Sequence, residues 1–402
     1  MLPTPDAVTE ALRGVVDPEL GSDVVELGMI RGSTVHDDGR VVVTLALTTA
    51  GCPLRAQLQR DVRARVGSLP GVTAVELDWD EMTEAERKVA MERARFNIAN
   101  RDESSSIAPT TKVIAVSSGK GGVGKSSVTV NLAAALAARG LNVGVLDADI
   151  WGFSVPRMLG VEGPLAVRVE GGKKLMVPIE RTIGDGVLRI VSMGFLSDEQ
   201  DALMWRGLIL NRAVQHFLQD VDWGSDLHYL LLDMPPGTGD VQMGVAKLVP
   251  RTEVVVVTTP ALGAQKVAAR AVSMARKNFL RVAGVIENMS SFTCDHGESY
   301  ALFGEGGGQA LADEAGAPLL GSVPIEPSVS AGGDHGAPAV LGEGAAADAF
   351  RAIAERIVED AVPPVDLEGC SVRMLAHMEQ ALRAADDDAV DEDEAADEDD
   401  EG

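Results

Sequence analysis

The chain has 402 residues, of which 46% are hydrophobic and 3% aromatic, so it can bury a sizeable core of aliphatic side chains. Its formal net charge is −26, and the absence of a basic stripe disfavours nucleic acid as a partner, because phosphate binding needs clustered Lys and Arg. No apolar run approaches the roughly 20 residues of a membrane span, and the first residues do not resemble a signal peptide, so we expect a soluble, cytoplasmic protein without a membrane partner.

The first 82 residues predict a small α+β domain. A helix begins near Thr4 and is followed by the strand-forming stretches "VVELGMIRGSTV" and "RVVVTLAL", a helix over roughly 54–67 and the strand "VTAVELDW". Thr83 and Glu86 have the spacing of a capping box that opens a helix, and "RDESSSIAPTT" is typical of a linker. We therefore assign residues 83–110 to a helix and linker.

Residues 111–360 show a different pattern, in which apolar strands alternate with helices such as "GKSSVTVNLAAALAARG". The predicted strands are "KVIAVSS", "NVGVLDAD", "LHYLLLDMPP", "EVVVVTTP" and "VAGVIENMS". Continuous apolar strands separated by helices predict an α/β fold with a doubly wound, mostly parallel sheet. Residues 361–402 predict a linker, a short helix and a disordered acidic tail.

A glycine-rich segment, "SSGKGGVGKSS", follows the first of these strands and opens a helix, which is the context that a P-loop requires. Its backbone N–H groups and the helix N-terminus can surround nucleotide phosphates. Lys125 should reach the β- and γ-phosphates, and the Ser126 hydroxyl should bind Mg²⁺. An accidental glycine-rich turn is disfavoured by this context. The predicted nucleotide-binding residues of the loop are Gly119, Lys120, Gly121, Gly122, Val123, Gly124, Lys125, Ser126 and Ser127.

Three carboxylates follow apolar strands in the order that nucleotide hydrolysis needs. Asp147 and Asp149 lie in "LDADIWG", where a carboxylate can orient the attacking water and sense the γ-phosphate. Asp233 ends the strand in "LLLDMPPGTGD", where it can hold Mg²⁺ through water, and "PPGTGD" is suited to a switch that moves after hydrolysis. Each residue alone could be an ordinary turn acid, but together they predict an ATPase.

Lys120 gives the loop the form KGGxGKS, which resembles the P-loop ATPases that include MinD, ParA and the nitrogenase iron protein. This resemblance implies that Lys120 crosses a homodimer interface to the partner's nucleotide. It also implies that Lys120, Lys125 and Asp149 take part in catalysis and that Asn288 reads the adenine edge.

More specific stretches resemble the Mrp/ApbC family of iron–sulfur cluster carriers almost continuously over residues 112–360. These are "LDADIWGFSVPRMLG", "GVIENMSSFTC", "LFGEGGG" and "LLGSVPIEPSV". The first 80 residues, through "VVDPELGSDVVELGMI" and "TTAGCP", resemble the small domain of SufT-type iron–sulfur maturation factors. Both resemblances imply a protein that uses ATP and Mg²⁺, receives a labile iron–sulfur cluster from donors and passes it to apo-proteins.

The predicted cluster loop departs from that family at one position. Most members carry CxxC there and bind a bridging cluster between two subunits, whereas this chain reads Cys294-Asp295-His296-Gly297 and lacks the second cysteine. His296 could substitute, because imidazole ligates iron in some two-iron centres. Two alternatives stay open: a weak site completed by small thiols, or a decayed site in which Cys294 is merely a surface thiol.

Cys52 is a second candidate ligand, because it precedes Pro53 at the predicted start of a helix, where a thiol becomes more acidic. A buried, inert cysteine is an equal alternative. The rival function is a regulatory switch of the MinD/ParA type, which would bind a partner under ATP control without a metal cluster. Its membrane-bound form is disfavoured, since the predicted C-terminal helix leads into an acidic tail.

Overall fold

The computed structural model describes residues 2–17, 20–48, 55–99, 106–149, 152–170, 173–196, 207–237 and 240–365. Cys52, Cys370, and the predicted C-terminal helix and acidic tail therefore lie outside the described residues. Within the described ranges, no helix is long and apolar enough to cross a membrane.

The small N-terminal unit is built on a three-stranded sheet in the order β3 (Ile30–Val35), β4 (Arg40–Leu47) and β5 (Ala74–Glu81). Strands β3 and β4 are antiparallel, and β4 and β5 are parallel. Burial alternates along β4 from Arg40 to Leu45, so that Val41, Val43 and Leu45 lie in the core, and Ala46 and Leu47 at its end are also buried. The elements are α1 (Pro5–Leu12), β1 (Val16–Asp17), β2 (Ser22–Asp23), β3 (Ile30–Val35), β4 (Arg40–Leu47), α2 (Arg55–Gly67), β5 (Ala74–Glu81) and α3 (Glu84–Ala99).

Helix α3 packs against the small unit. The backbone N–H of Thr83 donates to the Glu86 carboxylate at 2.9 Å, and the Glu86 N–H donates to Thr83 Oγ1 at 3.3 Å, so the predicted capping box starts the helix. Ala90 and Ala94 are buried in the core of the small unit. The helix predicted within residues 83–110 thus packs as part of the N-terminal unit. The division of the chain into domains stays a prediction.

The larger unit alternates strands with helices as predicted. Its elements are β6 (Lys112–Ser118), α4 (Lys125–Ala138), β7 (Val143–Asp147), α5 (Val155–Met158), β8 (Ala166–Glu170), β9 (Lys173–Val177), β10 (Ile179–Ile183), β11 (Gly186–Ser192), α6 (Gly207–Gln219), β12 (Tyr229–Asp233), α7 (Asp240–Leu248), β13 (Glu253–Thr258), α8 (Leu262–Lys277), β14 (Arg281–Thr293), β15 (Ser299–Tyr300), α9 (Gly307–Ala315), β16 (Leu319–Ile325), α10 (Pro327–Asp334) and α11 (Ala345–Arg356).

The central sheet runs in the order β10-β11-β7-β12-β6-β13-β14, and both β15 and β16 pair with β14. The pairings that join β11, β7, β12, β6, β13, β14 and β16 are all parallel, whereas β10 and β15 are antiparallel to their neighbours. This architecture confirms the predicted α/β fold with a mostly parallel sheet. Its parallel strands end at a common edge, which is where such sheets bind ligands.

The two units meet at the opposite, amino-terminal edge of the sheet. The Arg65 guanidinium of α2 is 3% exposed and donates to the backbone carbonyls of Pro250 and Arg251. It also lies 3.1 Å from the carboxylate of Glu253, the first residue of β13. A second ion pair joins Asp61 of α2 to Lys112, the first residue of β6.

Candidate functional site

The P-loop connects β6 to α4 at the carboxyl edge of the sheet. Gly119 approaches α8 so closely that a Cβ atom there would collide with the backbone of Val267. Gly122 and Gly124 have φ angles of +81° and +79°, which residues with a Cβ atom rarely adopt. These glycines therefore set the shape of the loop, while Lys120 extends into solvent at its tip.

Lys125 is only 6% exposed, and its Nζ atom lies 2.7 Å from Oδ1 of Asp233. The hydroxyl of Ser126 donates to the other carboxylate oxygen at 2.6 Å, and Thr129 donates to Oδ1 at 2.7 Å. The structure thus unites the three residues predicted to hold phosphate and Mg²⁺, and it adds Thr129. Because Thr129 lies one helical turn after Lys125, its position on the same face could have been read from the sequence.

The donor set around Asp233 fits magnesium. The carboxylate of Asp233 and the hydroxyl of Ser126 lie side by side at the N-terminus of α4, and Mg²⁺ prefers such hard oxygen ligands. Ser126 and Asp233 would hold the ion together with phosphate oxygens and water.

Asp147 acts through the backbone of the segment that follows it. Its buried carboxylate accepts hydrogen bonds from the N–H groups of Asp149, Ser154 and Val155 at 3.1–3.2 Å and from the Ser192 hydroxyl at 3.2 Å. Burial first, and then the nearby charge of Asp233, raises the pKa of Asp147 to about 7. Asp147 therefore holds the backbone at Asp149, Ser154 and Val155, and the predicted role of orienting water fits Asp149 better.

The predicted switch segment lies beside the P-loop. The backbone N–H of Gly237 donates to the carbonyl of Ser118 at 3.1 Å, and Gln242 Nε2 donates to the Gly237 carbonyl at 2.8 Å and to Ser117 Oγ at 2.9 Å. Residues 238 and 239 are outside the described ranges. Gln242 was not predicted from the sequence, because its contact depends on how α7 packs against β6.

Asn288 is 6% exposed, and its side-chain Nδ2 donates to the carbonyl of Val123 in the P-loop at 2.9 Å. The structure thus places this residue against the phosphate loop. Its predicted contact with the adenine edge stays a prediction.

Cys294 lies in the turn that follows β14. Its backbone N–H donates to the carbonyl of Glu298, and its carbonyl accepts from the N–H of Gly297, both at 2.9 Å. The thiol is half-buried and free, and His296 is exposed. Within the part of the chain that the structure describes, no group of three or more His, Cys, Asp or Glu side chains could hold a metal ion. One chain therefore does not complete a cluster site around Cys294 from these residues.

Comparison with known proteins connects this nucleotide site to iron. Residues 109–358 match the family model ParA, described as NUBPL iron-transfer P-loop NTPase. The chain belongs to this NTPase family. Residues 5–77 of this NTPase also match the family of iron–sulfur cluster assembly proteins, which confirms the resemblance noted for the small unit.

Several relatives share most of the length of this NTPase. A protein of Mycobacterium tuberculosis named iron–sulfur cluster carrier protein is 43% identical over 348 residues, which cover 83% of this chain and 87% of that protein. A protein of the same name from Deinococcus radiodurans is 44% identical over 355 residues, or 88% of this chain and 94% of that protein. These relatives favour the carrier interpretation over the switch.

A solved structure supports the nucleotide site. A nucleotide-binding protein from Archaeoglobus fulgidus, in complex with ADP, superimposes on 63% of this chain and 96% of its own. Its sequence identity is 34% and the TM-score is 0.52.

Proposed function

We propose that this protein is an ATP-hydrolysing carrier that binds a labile iron–sulfur cluster and transfers it to apo-proteins. The observation that supports it most directly is the course of β14. Asn288 of this strand contacts the P-loop. Cys294, six residues later, lies in the turn that directly follows the strand. The match to an iron-transfer NTPase family agrees with this arrangement.

Lys125, Ser126 and Asp233 would form the phosphate end of the nucleotide site. Because Lys125 pairs with Asp233, its ammonium must exchange that carboxylate for the phosphates of ATP when the nucleotide binds. Bound Mg²⁺ would neutralise charge on the phosphates. Asp149, held in place by Asp147, would orient the attacking water.

A homodimer would complete both the nucleotide site and the cluster site. The exposed side chain of Lys120 would reach the nucleotide of the partner subunit. Because one chain offers Cys294 and His296, two chains would offer two thiolates and two imidazoles, which is the number of protein ligands that a two-iron centre needs. Alternatively, small thiols would complete a weaker site on the two cysteines.

The small unit would recognise cluster donors or apo-proteins in the cytoplasm, with Cys52 as a candidate exchange thiol. Its position at the amino-terminal edge of the sheet leaves the nucleotide edge accessible for dimerisation. Neither nucleic acid nor a membrane is expected among the partners.

Anaerobic reconstitution with iron and sulfide tests the proposed cargo. We expect the wild type to hold both elements with a visible absorption spectrum, and the Cys294→Ala variant to lose them. His296→Ala should shift the spectrum if imidazole ligates iron. Cys370→Ala is the matched control, because it also removes one thiol.

If the wild type hydrolyses ATP yet retains neither iron nor sulfide, the carrier function is wrong. The ATP-controlled switch, which the missing second cysteine of the loop favours, would then be the better explanation.

A further inference from the structure

Two consecutive residues of β14, Glu287 and Asn288, connect parts of the molecule that the proposed function leaves separate. Their side chains are 7% and 6% exposed, and successive residues of a strand point to opposite faces of the sheet. Asn288 contacts the P-loop, whereas Glu287 contacts the first turn of α9. The carboxylate of Glu287 has no part in nucleotide binding as described above.

The contact of Asn288 with the P-loop is tight. Its amide donates to the carbonyl of Val123 at 2.9 Å, and a Cβ atom on Gly124 would collide with that same amide nitrogen. These two loop residues directly precede Lys125. A displacement of the loop at this point must therefore move Asn288 or break its hydrogen bond.

Glu287 holds the other side of the strand. Its carboxylate accepts a hydrogen bond from the backbone N–H of Gly308 at 2.6 Å and one from the Ser322 hydroxyl at 3.3 Å. Gly308 lies so close that a Cβ atom there would collide with the Glu287 side chain. The start of α9 is thus fixed to β14 next to Asn288.

Between these two contacts the chain forms a loop that we call the cysteine hairpin, residues 290–306. It begins with the last four residues of β14, turns at Cys294, returns through β15, where Tyr300 pairs with Phe292, and ends where α9 begins. Both ends of the cysteine hairpin are therefore attached to the Glu287–Asn288 pair.

The entry to the cysteine hairpin is strained. Met289 has a φ of +58°, in the left-handed region that a non-glycine residue rarely adopts. The pairing of β14 with β16 also shifts register between Asn288 and Phe292. Strain of this kind persists only where surrounding contacts impose it, and it marks segments that can change conformation.

We propose that Glu287 and Asn288 are positioning residues that couple the P-loop to the cysteine hairpin, so that nucleotide binding changes the accessibility of the Cys294 thiol. The inference rests on the proposed function in taking Cys294 as the ligand that is controlled. A nucleotide can shift the cysteine hairpin only if the protein binds it with different affinity in the two conformations of the hairpin. The Asn288–Val123 hydrogen bond is a contact at the nucleotide site that would differ between these conformations.

Alkylation of Cys294 in the full-length protein, without iron or sulfide, tests the coupling. The rate with iodoacetamide is measured with and without Mg²⁺ and a non-hydrolysable ATP analogue, by mass spectrometry of the peptide that contains Cys294. Coupling between sites typically amounts to fivefold or more, so we expect about a fivefold change in the wild type. In Glu287→Ala the ratio of the rates with and without nucleotide should become about 1, because the N–H of Gly308 loses its acceptor.

Two variants separate coupling from loss of structure. Glu287→Gln should restore the ratio, since its amide oxygen can accept from Gly308. Glu253→Ala removes another largely buried carboxylate, at the amino end of the neighbouring strand β13, and should keep the wild-type ratio. Binding of a fluorescent ATP analogue to each variant verifies that the nucleotide site is occupied.

The coupling is disproved if the wild type shows no nucleotide-dependent change, if Glu287→Ala keeps the full ratio, or if Glu253→Ala loses as much of it. Failure of the proposed function gives a different result. A chain that binds no cluster but retains the nucleotide-dependent alkylation rate contradicts the carrier function and supports the coupling.

Discussion

Two buried carboxylates, Asp233 and Asp147, have different partners although they are the last residues of two neighbouring strands of one sheet. Asp233 is paired with the Lys125 ammonium and accepts two hydroxyl hydrogen bonds. Asp147 accepts mainly from backbone N–H groups. Burial, and after it the nearby charge of Asp233, disfavours the ionised carboxylate of Asp147, so the pKa of Asp147 is raised.

The raised pKa of Asp147 predicts a pH dependence of stability. The carboxyl binds its proton more tightly in the folded state, with a pKa of about 7, than in the unfolded chain, with an ordinary value near 4. The contribution of Asp147 to the free energy of unfolding should therefore fall as the pH rises from about 4 to 7 and should be constant above that.

Urea unfolding of the wild type and Asp147→Asn at several pH values would measure this effect. The difference between the two free energies isolates Asp147 from the other titrating groups. A difference that does not change with pH over this range would contradict the assignment.

At the scale of elements, the P-loop and α8 form one packed unit, since Gly119 leaves no room for a side chain against Val267. Gly121 in the same loop faces open space, because a Cβ atom added there would meet no atom within 4 Å beyond its own chain neighbours. The two glycines therefore differ in packing although both belong to the same glycine-rich segment.

Gly119→Ala should lower the free energy of unfolding by about 1–3 kcal/mol, because the methyl group forces α8 or the loop to move. Gly121→Ala is the matched control and should change stability much less. Denaturant unfolding compares them, and equal effects at both positions would show that the loop does not pack against α8 as described.

Local patterns explain why the P-loop, the capping box at Thr83 and the strands β6, β7, β12, β13 and β14 were predicted correctly, since each depends on residues close in sequence. The anchoring role of Asp147 and the contact of Glu287 with Gly308 depend on distant segments and were not predicted. Cys294 lies in a loop as predicted, whereas the proposed cluster site on it would need a second chain, which the sequence of one chain does not describe.

At the scale of the whole molecule, the two units are joined by a buried ion pair. Arg65 contacts Glu253, which also contacts Arg281 at the start of β14. Removing Arg65 would leave Glu253 paired with Arg281 alone, and it would also take away the donor that the carbonyls of Pro250 and Arg251 have in the small unit.

Arg65→Ala should weaken the contact between the units by about 1–3 kcal/mol, and the small unit should exchange its amide hydrogens faster. ATP hydrolysis should be unaffected, since the contact lies at the edge opposite the P-loop. Arg40→Ala, which removes an exposed ion pair to Glu76 within the small unit, is the control. Unchanged hydrogen exchange in Arg65→Ala would mean that other contacts hold the units together.

The length of β14 has a consequence for delivery of the cargo. Its first eight residues run from Arg281, which shares Glu253 with Arg65 of the small unit, to Asn288 next to the cysteine hairpin, and at about 3.3 Å per residue they span roughly 25 Å. Ligand exchange between thiols requires direct contact, so this separation insulates the hairpin from the small unit of its own chain. A cluster held on Cys294 would leave directly for a docked acceptor, and one first captured by the small unit would have to arrive from another molecule.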